Sequence, residues 1–192
     1  MHKQDQERNQ IISLLQRIQK GYTERDLDQV QSFVEDVFLK EQDILVIGTS
    51  AVTPESSEWC FGYEEIAKII EDDWKYWGDL KLNIDDAHIS FHGDVSFIAM
   101  TGVVYEKIQR ESYYNYRLSL IEKKLKDEIS PKRKLLEIIH GTADTLLETT
   151  KGEDYHWPLR LSMQAVNKEG VWKIKQMHFS YPVTFYPPVR LE

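Results

Sequence analysis

An α+β fold, in which a curved antiparallel sheet wraps around N-terminal helices, is predicted by three features of this 192-residue sequence. Helical apolar stripes dominate the chain as far as Gly78. Two pairs of extended segments joined by glycine-bearing turns follow, and no strand–helix–strand unit of the kind a parallel crossover needs is present.

The elements follow in order. From Gln4 to Lys20, Ile11, Leu14, Leu15, Ile18 and Tyr22 recur at three- and four-residue steps, which puts them on one face of a first helix. Asp26 with Gln29 three residues later starts a second helix, whose Leu27, Val30, Phe33, Val34 and Val37 keep helical spacing to about Phe38. Asp43 to Thr49 is short, apolar and β-branched, so it reads as a strand leading into the polar loop Pro54 to Glu58. Gly62 opens a third helix with Ile66, Ile69, Ile70, Trp74 and Trp77 on one face, and Gly78 stops it.

Leu80 to Phe91 and Val95 to Ile108 are expected to pair across His92-Gly93-Asp94, and Leu159 to Val166 with Val171 to Tyr181 across Asn167-Lys168-Glu169-Gly170. Between the hairpins lies a helical insertion at about 111–154, with one stripe of Leu118, Ile121, Leu125 and Ile129. A second stripe, capped by Ser130-Pro131, carries Leu135, Leu136, Ile139, Ala143 and Leu146. Both stripes need a surface to bury, so the insertion is expected to cover a sheet edge or a pocket mouth. The tail Phe185 to Glu192, with Pro187-Pro188, is expected to run over the surface, and one domain is expected to span residues 1–192.

Composition narrows the function. A formal charge of -8 opposes nucleic-acid backbones and anionic membranes, and the only basic run, Lys132-Arg133-Lys134, sits among acidic neighbours. The single cysteine, Cys60, excludes an internal disulfide framework and a structural zinc site. With a polar Met1 to Gln10 and no long apolar run, the expectation is a cytoplasmic protein with no membrane or nucleic-acid partner, no metal and no cofactor.

Four segments carry a family resemblance: Asp26-Leu27-Asp28, the strand Ile44 to Thr49, the Gly-x-Glu-x-Ile helix Gly62 to Trp77, and the hairpin Arg160 to Pro182 with its Gly-x-Trp-x-Ile and His-Phe-Ser elements. Together they resemble the SnoaL-like, ketosteroid-isomerase-like superfamily, which shares the fold of nuclear transport factor 2. The resemblance covers most of the chain but not the insertion. It implies a cone-shaped domain, a small-molecule pocket at the open end, and a homodimer paired through the outer sheet face. It also places Ile18 where ketosteroid isomerase carries its tyrosine, and Ile44 to Thr49 lacks the carboxylate base of that enzyme, so isomerase chemistry by that route is not expected.

Strand alternation puts Trp172, Ile174, Gln176, His178 and Ser180 on one face, which the first two would draw inward. His178 is then a candidate base, acid or ligand partner, beside Ser180, with Arg160 as a partner for a ligand carboxylate or phosphate. Both are also open to a structural role, His178 as a paired core histidine and Arg160 as an inward salt bridge or a surface arginine. Trp59, Tyr63, Trp74, Trp77, Tyr105, Tyr155 and Trp157 are candidate apolar walls, Trp59 and Trp157 foremost as loop or strand-start residues. His88 and His92 stand about 13 Å apart along a strand, too far to share a metal. Asp72-Asp73 and Asp85-Asp86 read as solvated faces, since adjacent side chains diverge, and Cys60 has no activating neighbour in sequence.

Two functions remain open: a small-molecule-binding domain for a mainly apolar compound with an acidic or carbonyl group, or an isomerase, cyclase or dehydratase using His178 on a small cyclic or polyketide-like substrate.

Overall fold

The computed structural model describes residues 3–49, 51, 54, 58–107, 110–150 and 154–181. Most of the loop Pro54 to Glu58, the tail beyond Tyr181 and the side chain of Tyr155 lie outside the described residues. The chain divides into two compact units, Met1–Val104 with Trp157–Glu192, and Tyr105–His156.

In the first unit, α1 (Lys3–Glu24) buries the whole predicted stripe, Ile11, Leu14, Leu15, Ile18 and Tyr22, to 1% exposure or less. It ends at Arg25, whose positive φ of 49° turns its N–H back to the Gly21 carbonyl at 2.9 Å. The Asp26 side chain then accepts from the Asp28 N–H at 3.1 Å and starts a 3₁₀ turn, Leu27–Gln29. That turn runs into α2 (Val30–Val37), with Val30, Val34 and Val37 buried. Gly21 is required by α2, because a Cβ there would stand 2.6 Å from Cδ2 of the Phe33 ring.

Strand β1 (Leu45–Ile47) pairs antiparallel with β2 (Trp59–Phe61), a strand the sequence shows only as a loop end, and α3 (Gly62–Tyr76) follows. Next come β3 (Asp79–Leu82), a 3₁₀ turn at Ile84–Asp86, β4 (His88–His92) and β5 (Val95–Lys107). The turn splits the expected long first arm of the hairpin, so that β3 and β4 each pair with β5 separately. The last strands are β6 (Asp154–Lys168) and β7 (Val171–Ser180), joined where Glu169 and Gly170 both take positive φ.

The sheet order is β2-β1-β7-β6-β5-β3, with β4 on β5. It is curved, open and mixed rather than wholly antiparallel: β1 runs parallel to β7, pairing Val46 with Met177 and Ile47 with His178. Its inner face carries Val46, Ile98, Met100, Leu159, Leu161, Met163, Ala165, Ile174, Met177 and Phe179, all buried against the helices.

One irregularity governs which residues face inward. Gln164 pairs with Gln176 but Ala165 pairs with Ile174, so Lys175 is an extra residue without an opposite number. Alternation breaks there. Trp172 and Ile174 are buried on one side of the bulge and Met177 and Phe179 on the other. His178 and Ser180 therefore face away from the core, contrary to the sequence expectation, because the bulge shifts parity by one. Lys175 itself extends outward to Glu41 and to Asp43.

In the second unit, α4 (Arg110–Lys126) and α5 (Pro131–Thr150) form a helical pair. The helices meet through polar groups. Arg117 Nε donates to Thr145 Oγ1 at 2.6 Å, and Lys124 pairs with Glu137 at 2.7 Å. Thr145 and Thr149 are buried, whereas Leu118, Leu125, Leu135, Leu136, Ile139 and Leu146 are exposed. The apolar stripes thus do not form the seam between the two helices.

The bulge yields a test. Deleting Lys175 should remove only the extra residue, so that Gln176 follows Ile174 in regular pairing, Met177 and Phe179 stay inward, and the fold survives with a modest loss of stability. Deleting Met177 instead keeps the bulge, brings His178 and Ser180 inward and expels Phe179; losing two buried apolar side chains costs roughly 3–5 kcal/mol each, so that deletion should unfold the protein at ambient temperature in circular dichroism. Lys175→Ala, which keeps the register, should lower the melting temperature by only a few degrees. Equal melting temperatures for the two deletions would contradict this assignment of the register.

Candidate functional site

The one buried acid–phenol pair among the described hydrogen bonds joins α1 to α3. Tyr22, 1% exposed, donates from its hydroxyl to Asp73 Oδ2 at 2.7 Å. Tyr22 closes the stripe of α1. Asp73 lies three residues after Ile70 and four before Trp77, on the inward face of α3, while Asp72 is exposed. Asp73 is thus not the solvated residue the sequence reading made it. The signal was its place on the Ile66–Ile70–Trp74–Trp77 stripe, where an isolated acid is out of character.

Aromatic rings surround the pair. Trp74, Trp77 and Phe33 meet the Tyr22 ring edge-on at 6.2 to 6.5 Å, and Phe179 lies 6.5 Å from it. Trp77 Nε1 donates to the Tyr181 hydroxyl at 3.2 Å, and Tyr181 packs on Trp157 at 5.4 Å. The indole N–H of Trp74, a buried residue, has no acceptor among the described residues. Such an orphaned donor calls for a partner, since leaving it unmade costs about 1–3 kcal/mol.

Arg25 ties the two helices together. Its guanidinium donates from Nε to the Tyr22 carbonyl at 3.0 Å, from Nη1 to the Trp77 carbonyl at 2.7 Å, and from Nη2 to the Gly78 carbonyl. A third group acts from the sheet. Glu58, at the foot of β2, folds over Gly48, where a Cβ would come within 2.6 Å of the Glu58 Cβ and would also strike its carboxylate.

These surroundings set the protonation. Burial above all, together with the charges of Glu58 and Asp72, raises the Asp73 carboxyl to about 7 against the hydrogen bond from Tyr22 and the Arg25 charge, which lower it. Burial and the neighbouring Asp73 hold the Tyr22 phenol well above its ordinary value. Cys60 is buried, and burial with Glu65, Glu58 and Asp73 pushes its thiol up to about 11, which disfavours the thiolate at neutral pH.

The residues singled out by sequence separate into groups. Trp74 and Trp157 belong to the interior cluster. Trp59, Arg160, His178 and Ser180 lie on the outer sheet face: pairing aligns Trp59, Ile47, His178 and Ser162 in one row and Arg160 with Ser180. A bound molecule inside the sheet therefore cannot meet His178, Ser180 and Arg160, and Arg160 is exposed with Nη2 on the Tyr181 carbonyl at 3.1 Å. Two adjoining hollows open on this outer face. One, of about 240 Å³, is lined by His88, Phe97, Ser162, Gln164 and Gln176. The other, of about 640 Å³, is lined by Asp86, Thr101, Arg160 and Ser180. Tyr63 sits between α2 and α3, its hydroxyl on the Gln31 carbonyl at 2.9 Å, and Tyr105 lies in the second unit against His156 at 5.0 Å. Among the described residues no cluster of three His, Cys, Asp or Glu could hold a metal, and no helix is long and apolar enough to cross a membrane.

Asp73 gives the fold a pH dependence. An unfolded aspartate titrates near 3.9, so between about 4 and 7 the folded chain holds a proton that the unfolded chain has released. Stability contributed by this group therefore falls as pH rises through that window, by on the order of 3–4 kcal/mol at most, and levels off above it. Asp73→Asn should lose this decline and melt above the wild type at pH about 8. Parallel melting-temperature profiles for the two proteins would show that Asp73 titrates as an ordinary acid.

Comparison with known proteins adds the fold. No protein-family model and no curated protein matches the sequence. Solved structures do match in shape. A nuclear transport factor 2 (NTF2-like) superfamily protein from Salmonella enterica serovar Typhimurium aligns over 94% of each chain, with a TM-score of 0.59 at 12% identity. A proposed dehydratase of the NTF2-like family from Streptomyces avermitilis aligns over 95% of this chain and 100% of its own, with a TM-score of 0.59 at 9% identity. An NTF2-like protein of unknown function from Pseudomonas putida covers 94% and 90%, with a TM-score of 0.54 at 10% identity. The chain has the NTF2-like fold.

Proposed function

We propose that the interior of the first unit binds a small, mainly apolar molecule, anchored through a carbonyl oxygen on the Tyr22–Asp73 pair. The observation that carries this reading is the 2.7 Å phenol–carboxyl hydrogen bond inside a cluster of Trp and Phe rings. An apolar core gains nothing from such a pair, because replacing buried polar partners by hydrocarbon is often neutral or better. A binding site does gain: a protonated Asp73 and the Trp74 N–H are both donors, and rings supply the apolar wall. Of the two ligand classes expected from sequence, the carbonyl suits these donors and the acid does not, since an ionised ligand would meet Asp73 and Glu58.

Turnover is the second reading, favoured by one observation. A buried carboxyl raised to about 7 is suited to general acid–base catalysis at neutral pH, which supports a reading in which isomerase, cyclase or dehydratase chemistry would fall to Asp73 and Tyr22 rather than to His178. The proposed dehydratase among the structural relatives is compatible with this. The outer face has a different role in our proposal: with Phe61 beside Trp59 on β2 and Phe97 on β5, each phenylalanine 46% exposed, it pairs two copies of the chain.

For the interior site, titration with 2-acetylnaphthalene should quench tryptophan fluorescence saturably. Tyr22→Phe should weaken binding about five- to thirtyfold, matching roughly 1–2 kcal/mol for one buried hydrogen bond. Wild-type affinity should drop as pH rises through about 7, when Asp73 stops donating. Equal affinity in the Tyr22→Phe protein would count against the site.

For the outer face, light scattering should report twice the 22.7 kDa chain mass, and Phe97→Glu should halve it. A wild-type monomer at micromolar concentration would reject the dimer.

A further inference from the structure

We propose that the outer face of the sheet carries a second site, shaped for a neutral sugar two rings long. It lies on the opposite face from the Tyr22–Asp73 pair and does not depend on the interior reading.

The two hollows of the outer face adjoin, because Ala99 and Ser162 line both. Short side chains floor the larger one. Ala99 and Thr101 on β5, Ser162 on β6 and Ser180 on β7 leave about 640 Å³ open above them, within the roughly 300–1,000 Å³ that ligand clefts occupy. In the smaller hollow Phe97 keeps 46% of its surface exposed, and Gln164 stands opposite Gln176 across β6 and β7.

Two charged groups line the larger hollow without neutralising each other. Asp86 ends the 3₁₀ turn Ile84–Asp86, and Asn83 fastens that turn to β5. The Asn83 backbone N–H donates to the Thr101 carbonyl at 3.0 Å, and its side-chain amide donates to the Thr101 hydroxyl at 2.7 Å. Arg160 stands on β6 and spends Nη2 on the Tyr181 carbonyl. Among the described residues neither Asp86 nor Arg160 forms an ion pair, so a carboxylate acceptor and several guanidinium donors are left for a ligand.

This lining selects a ligand class. An anion drawn to Arg160 would also meet Asp86, and a cation drawn to Asp86 would meet Arg160, so an ion of either sign gains little. A sugar hydroxyl both donates and accepts. It can therefore satisfy the carboxylate, the guanidinium, the serine and threonine hydroxyls and the glutamine amides in turn. The flat C–H face of a pyranose ring covers an exposed aromatic ring such as Phe97, whereas a small ion or zwitterion would leave that ring and the amides in water. One ring in each hollow uses all of these groups. Phe97 also serves the pairing of copies proposed above, so sugar and a second copy compete for it.

Saturation-transfer and backbone-amide NMR with maltose, cellobiose, lactose and diacetylchitobiose, and with glucose as a single ring, test the site. At least one disaccharide should bind with a Kd on the order of 1 mM, about fivefold or more tighter than glucose, and shift amides of β5, β6 and β7. Asp86→Ala, Arg160→Ala and Phe97→Ala should each weaken that binding about fivefold or more. All three side chains are exposed, so their melting temperatures should stay within a few degrees of wild type. Inorganic phosphate and glycine should not displace the sugar. In light scattering, saturating disaccharide should shift a wild-type dimer towards monomer; a dimer unchanged while sugar is bound overturns the role of Phe97, and a wild-type monomer rejects the pairing and leaves this site standing. No disaccharide binding below about 50 mM, affinity indifferent to the three substitutions, or phosphate or glycine taking the place of the sugar overturns the proposal.

Discussion

Desolvation of one carboxyl, held in place by one phenol, organises the first unit. Asp73 sits where α3 faces the sheet, and its penalty is moderated by the Tyr22 hydroxyl and by the Arg25 charge. Neither moderating group is free to move. Tyr22 is locked in the α1 stripe among Phe33, Trp74, Trp77 and Phe179, and Arg25 is fastened to carbonyls of both helices. Aromatic packing, helix register and protonation are thus one coupled arrangement, in which shifting α1 against α3 would strand an acid in a hydrocarbon environment.

The bulge at Lys175 divides the labour of the sheet. Without it, β7 would carry Trp172, Ile174 and the histidine-bearing end on the same side. With it, the inner side stays apolar along the whole strand and the polar residues collect outside. The bulged lysine is anchored by Glu41 and Asp43, which ties the β1 approach to β7 at the point where the register shifts.

Local patterns made much of this legible. The α1 stripe, the Asp26 start, the glycine turns and the α+β order are readable because helical spacing and turn chemistry are short-range. The parity of β7 was not, because the extra residue, Lys175, is followed by the equally polar Gln176, and nothing in the sequence says which pairing of the strand breaks there. The parallel β1–β7 pairing was hidden too, since it joins residues far apart in sequence. Asp73 was legible in principle, as an acid on an apolar stripe, but its neighbour Asp72 made the pair look like a solvated surface. Glu58 had no local signature at all: its meaning comes from Gly48, ten residues before it.

The Arg25 clamp reads backbone carbonyls, not side chains. The spacing of α1 and α3 is therefore fixed by atoms that every residue type possesses. The guanidinium thus anchors the two helix ends through main chain, whereas the space between them is filled by side chains, the rings of Phe33, Trp74 and Phe179 around Tyr22.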